Sequence, residues 1–363
     1  MINGSRIRQA RELRALTQVE LAEHVDVNQS TVASIESGRR IPSEELLQSI
    51  SIRTGFPPSF FKQDTPDEFP IGSHLLFRAR ASVTARQEAQ AHRFAQIIYE
   101  CSVKLANRLT SIPLHLPQLP DETPEVAAEV TRATLGLSPD TPIGDVSFSI
   151  ERAGVFVTVL PLSIERIDAF SLWAGKYSDK PVIATLGQEF GDRQRFSLAH
   201  ELGHLVMHQS MRGTFREIEK EANRFAGALL LPGTPMHEEL LPPVTLTSLA
   251  TLKPRWGVSM QAIAMRAFDL GLITERQRTY LFKQMSMRGF RKREPASLDV
   301  PLEKPRGLRQ MAELLYGNPI SYQEFAQDVR LPVTLLQETL AMHAGTSVEA
   351  SNSPGKVVQF RGR

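Results

Sequence analysis

A single cysteine, Cys101, is present among the 363 residues, so an intramolecular disulfide is impossible and a zinc site built from cysteine thiolates is excluded. The chain also lacks any uninterrupted apolar stretch near the roughly 18 residues that a membrane-spanning helix needs. Its first residues contain no apolar core of a secretory signal peptide. These absences predict a cytoplasmic protein without a membrane partner.

The chain has little net charge, because 42 basic residues face 40 acidic residues and leave a formal charge of +2. Apolar residues make up 41% of the chain and charged residues 23%, as in globular proteins with a substantial core. The charge is unevenly distributed, since residues 276–309 hold ten Lys and Arg against three acidic residues. This basic segment indicates either a polyanion-binding surface or an ordinary solvated face.

One stretch has the HExxH pattern of a zinc site. His200 and His204 are four residues apart among apolar neighbours at helical spacing, so both imidazoles lie on one face of a predicted helix. Two neutral imidazoles can ligate one Zn²⁺, and Glu201, displaced around the helix, can act as general base on the attacking water. The alternative is a satisfied His/Glu network without a metal, because buried ionisable groups need partners.

A third ligand is expected on the amphipathic helix that follows. Glu219 shares a face of this helix with Asn223 at i,i+4, which suits a ligating carboxylate supported by an amide. A solvated helix face is the alternative interpretation of Glu219, and Glu221, which points elsewhere, is the second candidate ligand. His208 lies one turn after His204 and is predicted to be a helix-end or cleft residue.

The first sixty residues predict a compact unit of short helices. Thr17 can cap a helix with Glu20 as its capping-box partner, Asn28 can cap the next helix, and Gly38 can end it. Short helices joined by tight turns are typical of a helix-turn-helix DNA reader, and a unit used only for protein contact or dimerisation is the alternative. The first predicted helix is crowded with arginines, which favours a polyanion partner: Arg6, Arg8, Arg11 and Arg14.

Two stretches, Thr17–Ala22 and Ser30–Pro42, resemble the Xre/Cro/phage-repressor family. In the turn between the second and third helices, Asp26 stands where that family usually carries Gly, and Asp tolerates the left-handed conformation better than most residues. The resemblance implies a double-stranded DNA operator as partner, with phosphate contacts from Gln18 and Arg39. It also implies that the third helix enters the major groove and places four residues near base edges: Gln29, Ser30, Thr31 and Ser34.

The stretches Arg195–His204 and Glu219–Pro232 resemble the ImmA/IrrE family of zinc metallopeptidases. This resemblance implies a gluzincin-type site in which the two HExxH histidines are ligands, Glu201 is the base, and the third ligand is, by alignment, Glu219. Together with the N-terminal unit, it follows the arrangement of regulators that fuse an Xre domain to this peptidase. Characterised relatives cleave helix-turn-helix repressors and so release stress, mobile-element or defence genes.

The expected fold class is α+β, mostly α, with a small β-sheet immediately before the HExxH helix. The β-branched runs that predict its strands are Val155–Leu160, Ala169–Trp173 and Pro181–Thr185. A long helix or helix pair is predicted over 78–108. The expected domains are a four- or five-helix DNA-binding domain at 1–63, a linker and helical connector at 64–144, a gluzincin-like peptidase domain at 145–275, the basic segment with a helical C-terminal domain at 276–344, and a disordered tail at 345–363.

Two functions fit these patterns. The first is a DNA-binding regulator with zinc-dependent endopeptidase activity that cleaves a repressor or another regulatory protein. The second is a non-proteolytic regulator or antitoxin whose peptidase-like domain is a sensor or a partner-binding module. A homodimer is expected, and because relatives of this peptidase class include ones switched on by nucleic acid, single-stranded DNA bound at the basic segment is a further hypothesis for activation.

Overall fold

The computed structural model describes residues 2–64, 69–70, 84–110, 112–162, 164, 168–187, 190–209 and 213–345. These residues form sixteen α-helices and one three-stranded sheet, which confirms the expected α+β, mostly α class. None of the helices within these ranges is both long enough and apolar enough to cross a membrane. The tail predicted to be disordered lies, from residue 346 onwards, outside the described residues.

The N-terminal unit begins with four short helices that end or turn largely where the sequence predicts. Thr17 and Glu20 form the expected capping box, and Asp26 takes the left-handed conformation at φ 54°. Gly38 also has a positive φ, of 75°, just after the third helix. Asn28 precedes that helix, but its side chain makes no capping hydrogen bond. The elements are α1 (Gly4–Leu13), α2 (Gln18–His24), α3 (Gln29–Glu36), α4 (Glu44–Thr54) and a 3-10 turn (Phe60–Lys62).

A single long helix, α5 (Ala85–Ala106), follows and packs against α1. The prediction of a helix over 78–108 is thus confirmed from residue 85, and residues 78–83 lie outside the described ranges. Several polar contacts fix α5 to the N-terminal unit; among them, Arg93 donates to Glu12 over 2.6 Å, and Arg86 pairs with Glu20. The DNA-reading candidates are therefore attached to the rest of the chain through α5.

The three predicted strands are present and form a mixed sheet. Its strand order is β1-β3-β2, with β1 parallel and β2 antiparallel to β3. β1 and β3 contain several buried β-branched residues, and β2 carries the aromatic residues Phe170 and Trp173, which explains why the sequence pattern located the strands. The elements of this region are α6 (Pro124–Thr134), α7 (Val146–Arg152), β1 (Phe156–Leu160), β2 (Ala169–Ala174) and β3 (Lys180–Leu186).

The HExxH helix follows the sheet, and the elements after it are all helical. Trp256 ends one of these helices and Gly257, with φ 65°, turns the chain into the next. The elements are α8 (Gly191–Met207), α9 (Phe215–Leu230), α10 (Gly233–Glu239), α11 (Leu246–Trp256), α12 (Met260–Asp269), α13 (Glu275–Met287), a 3-10 turn (Ala296–Leu298), α14 (Gly307–Tyr316), α15 (Tyr322–Val329) and α16 (Val333–Ala341).

Two hydrophobic cores hold these elements, and the sheet lies between them. Val182 and Ala184 of β3 pack into the first core, together with α1 to α5 and the C-terminal helices α14 to α16. Ile183, on the opposite face of β3, packs into the second core with α6 to α13. Because alternate residues of one strand serve different cores, the sheet joins the N- and C-terminal helices to the helix pair α8 and α9.

Candidate metal centre and nucleic-acid interface

His200 and His204 lie one turn apart on α8 and direct the same ring nitrogen toward each other. Their Nε2 atoms are 3.1 Å apart. The side chain of His204 is 5% exposed and that of His200 is 15% exposed. Helix α8 thus places two imidazole donors at one point on the border between core and solvent.

Glu219 of α9 completes a compact group of three donors. Its carboxylate lies 3.5 Å from Nε2 of His200 and 3.2 Å from Nε2 of His204. Ligands bound at about 2.1 Å on neighbouring corners of a tetrahedron are about 3.4 Å apart, so the three separations suit a zinc ion. Within the part of the chain that the structure describes, these are the residues grouped closely enough to hold a metal.

A glycine between the two histidines allows α9 to approach this closely. A Cβ atom added to Gly203 would come within 2.8 Å of the ring of Phe225 on α9. Thr214 and Glu217 form a capping box that starts α9 one turn before Glu219. The small residue and the helix start together set the position of the Glu219 carboxylate.

The carboxylate and the imidazoles of this group shift one another's pKa values. Burial alone would raise the pKa of Glu219, but hydrogen bonds from His200 and His204 hold it well below its ordinary range. Burial alone would lower the pKa of His200, but the carboxylates of Glu219 and Glu201 hold it above the usual histidine value. The group therefore keeps an ionised carboxylate against two imidazoles.

Glu201 points from α8 toward the sheet rather than toward the three donors' shared point. The hydroxyl of Ser171, on β2, donates to its Oε2 over 2.7 Å, and Glu201 is 6% exposed. Glu201 nevertheless lines the same cleft as His200 and His204. The sequence offered no signal for Ser171, because its position depends on how β2 packs against α8.

The prediction that the Asn223 amide supports the Glu219 carboxylate is wrong. The amide instead donates to the backbone oxygen of Glu219 over 2.7 Å. The Asn223 side chain also acts to raise the pKa of His200. Asn223 therefore lies beside the three donors without supporting the Glu219 carboxylate.

Glu221 and His208 form a separate pair beside the three donors. Nε2 of His208 is 3.0 Å from Oε2 of Glu221, and Nδ1 of His208 is 3.1 Å from Nδ1 of His204. Helix α8 ends at Met207, so His208 is the capping residue at the helix end and not part of a continuous helix. Burial lowers the pKa of His208, and the nearby imidazole of His204 acts in the same direction.

The three donors line a cleft with a volume of about 1100 Å³. The basic segment forms part of its wall, where arginine side chains stack over phenylalanine rings: Arg278 lies 4.2 Å from the ring centre of Phe268, and Arg293 lies 4.4 Å from that of Phe190. Several residues of the basic segment line the cleft: Arg278, Phe282, Phe290, Arg291, Lys292, Arg293, Glu294 and Asp299.

The candidate DNA-reading residues lie on and around α3. Gln29 and Ser30 are exposed at the start of the helix, and Thr31 and Ser34 are partly exposed along it. Of the two residues predicted to contact phosphates, Gln18 donates to Glu36 over 2.8 Å, whereas exposed Arg39 donates to the hydroxyl of Ser37. Gln29 donates to Gln18 over 2.7 Å, so the structure brings the first turns of α2 and α3 together.

Comparison with protein families supports this arrangement of two units. Residues 7–61 match the helix-turn-helix family, and residues 150–268 match the peptidase family described as the IrrE N-terminal-like domain. The chain joins a helix-turn-helix domain to an ImmA/IrrE-type domain. Both resemblances inferred from the motif residues are thereby confirmed: a helix-turn-helix domain and a peptidase-family domain lie in one chain.

Two solved structures show a distant similarity to this chain. A Mycobacterium tuberculosis transcriptional regulator is 21% identical with a TM-score of 0.32; the match covers 50% of this chain and 54% of that one. Bacillus thuringiensis PlcR, in complex with the peptide PapR7 and DNA, is 16% identical with a TM-score of 0.16, covering 80% and 97%. This chain thus spans about half the length of the first structure, and TM-scores this low support no conclusion about fold or function. Among curated proteins, none gave a significant match.

The arginines of α1 in the helix-turn-helix domain do not form the polyanion surface that the sequence suggested. Arg6 is buried and pairs with Glu100, and Arg11 is buried and pairs with Glu36. Arg14 donates to the backbone oxygen of Thr54, and exposed Arg8 pairs with Glu12. These arginines contact groups within the protein, so they give no support to DNA binding.

Proposed function

We propose that this chain is a DNA-binding regulator and a zinc-dependent endopeptidase whose ImmA/IrrE-type domain cleaves a regulatory protein. One observation carries the proposal: two histidine nitrogens of α8 and one carboxylate of α9 converge at the separations expected for a tetrahedral ion. Residues 1–63 would then be the DNA-binding domain and residues 145–275 the peptidase domain.

The donor set fits zinc by its chemistry. Nitrogen from His200 and His204 and oxygen from Glu219 make a three-ligand set, which is typical of catalytic zinc sites that leave one position open. When bound there, zinc supplies Lewis-acid polarisation of a carbonyl and lowers the pKa of water. His200, His204 and Glu219 would hold the ion, and the cleft gives the fourth position access to a substrate.

Glu201 is proposed to move the proton of the attacking water. It follows the first ligand directly and is displaced around the helix, so it lines the cleft without joining the three donors. Ser171 donates to one of its oxygens, which fixes the carboxylate and leaves the second oxygen to accept the proton. The same carboxylic acid can then return that proton to the leaving amine.

The substrate is proposed to be a protein segment, and the resemblance to peptidases that cleave repressors favours a repressor. The volume of the cleft, about 1100 Å³, is larger than a typical small-molecule site and suits several residues of extended chain. On the DNA side, Gln29, Ser30, Thr31 and Ser34 are proposed to face base edges of an operator, and Gln18 and Arg39 its phosphates. A homodimer would read two half-sites.

The direct test is digestion of a peptide library derived from bacterial repressors by the zinc-loaded full chain, read by mass spectrometry. New cleavage sites that disappear in Glu201→Gln and after chelation are the expected result. If wild type and Glu201→Gln give the same products, the peptidase proposal is wrong. If the zinc-loaded protein cuts nothing yet binds a selected operator, a non-proteolytic regulator becomes the better account.

A further inference from the structure

A line of hydrogen-bonding groups reaches the candidate metal centre from behind. Nε2 of His204 faces His200 and Glu219, whereas its other nitrogen, Nδ1, lies 3.1 Å from Nδ1 of His208. The second nitrogen of His208 lies 3.0 Å from the carboxylate of Glu221. The order is therefore Glu221, His208, His204 and then the shared point of the three donors.

The proton positions along this line are determined by its two ends. A histidine that gives Nε2 to a metal carries its hydrogen on Nδ1 and needs an acceptor there. Nδ1 of His208 can be that acceptor only if His208 carries its own hydrogen on Nε2, and that hydrogen then points at Glu221. A carboxylate accepts and does not donate, so the line has one consistent direction.

The side chain of His208 is not required to end the helix. Its backbone N–H already bonds to the backbone oxygen of His204 over 3.0 Å, which closes the last turn of α8. Its side chain is only 7% exposed, so solvent has little access to the position between His204 and Glu221. The contacts of the imidazole are thus directed at the candidate ligand and at Glu221.

We propose that His208, oriented by Glu221, is a positioning residue that holds His204 with its hydrogen on Nδ1 and presents Nε2 to zinc. The proposal rests on the proposed zinc site. Outer groups that fix a ligating histidine in this way contribute about 10- to 100-fold in metal affinity in other zinc proteins. His208 itself does not touch the metal or the substrate.

The test measures zinc affinity by competition with a chromophoric chelator, using the full-length protein. His208→Phe keeps an aromatic ring of similar size but has no acceptor, and we expect it to bind zinc about 10-fold more weakly. His208→Gln restores an oxygen acceptor and should recover most of this loss. Glu221→Ala should cause a smaller loss than His208→Phe, because the imidazole acceptor remains.

Two further measurements separate positioning from damage to the fold. His237→Phe, an exposed histidine on α10, is the matched control and should bind zinc like wild type. The absorption spectrum of the cobalt-substituted protein should change in His208→Phe and return toward wild type in His208→Gln. Thermal unfolding of the metal-free variants shows whether the fold is kept.

The outcomes are distinguishable. If His208→Phe and wild type bind zinc equally and give the same cobalt spectrum, the positioning role is wrong while the zinc site stands. If His208→Gln is no better than His208→Phe, an acceptor at this position is not what matters, and the proposal is also wrong. If wild type binds no zinc at all, the proposed function fails together with the positioning role.

Discussion

Helix α8 carries ionisable side chains on two faces, and the two faces are built differently. On one face, Arg195 pairs with Glu303 and donates to the backbone oxygen of Ile143 over 2.6 Å. Nearby, Asp192 accepts from Lys253, which also donates to Glu294 over 2.7 Å. Each charge on this face contacts an opposite charge and has almost no exposure, with Asp192 and Glu294 sharing Lys253.

On the other face, the donors are not paired off one by one. His200, His204 and Glu219 converge on one point, and that point opens into the cleft. Both faces bury ionisable groups, so burial alone does not distinguish a metal centre from structural ion pairs. What distinguishes the metal centre is that several donors converge on one position that is accessible from the cleft.

The largest expected effect comes from removing one charge of a buried ion pair on the first face. Glu303→Gln leaves the Arg195 guanidinium buried without its counter-charge, and we expect a loss of about 3–5 kcal/mol in the free energy of unfolding. Zinc affinity of the folded protein should stay unchanged, because Glu303 is not among the donors. Urea denaturation checks stability, with the exposed Glu238→Gln as control; a normal midpoint for Glu303→Gln would show that the pair is not structural.

The next effect concerns catalysis on the converging face. Glu201→Gln should keep its zinc and lose proteolysis by at least about 100-fold, since the amide still accepts from Ser171 but cannot take a proton. Zinc content and cleavage rate are measured on the same preparation. Full activity would remove Glu201 from the mechanism, and loss of zinc would make it part of the metal centre.

A smaller effect distinguishes the two carboxylates of α9. Glu219→Ala should weaken zinc binding by about 10-fold or more, because a three-ligand site loses its charged member. Glu221→Ala should weaken it less, because Glu221 contacts His208 and not the shared point. Chelator competition on both variants decides the matter, and the reverse order would make Glu221 the ligand.

The weakest expected effect tests the basic segment in the cleft wall as a site for single-stranded DNA. Arg293 pairs with Asp299, so Arg291 and Lys292 are the better candidates for phosphate contacts. The log–log salt dependence of binding should become shallower by about 0.7 for each contact removed by alanine substitution. Arg276→Ala, exposed on α13, is the control, and an unchanged slope in the Arg291 and Lys292 variants would leave this wall as a solvated surface.

Much of the fold was predictable because its signals are local. The capping box of Thr17 and Glu20, the left-handed turn at Asp26 and the β-branched strands each depend on a few consecutive residues. The spacing of His200 and His204 on one helix face is local in the same sense, and it placed both imidazoles correctly on α8.

The features that sequence could not predict depend on long-range packing. Ser171 reaches Glu201 only because β2 lies against α8, and Glu221 reaches His208 only because α9 turns back along α8. The arginines of α1 are equally instructive, since Arg6 finds its partner, Glu100, on α5, far along the chain. A cluster of charges in sequence does not reveal whether its members face solvent or one another.

The central claim is that the three donors hold zinc, and metal content tests it most directly. Purified wild type should contain a single zinc ion per chain by atomic spectroscopy after dialysis, and His204→Ala, which removes one of the two imidazoles, should contain none while keeping a folded circular-dichroism spectrum. Zinc-free wild type after incubation with excess metal would contradict the claim. Retention of stoichiometric zinc by His204→Ala would contradict it equally.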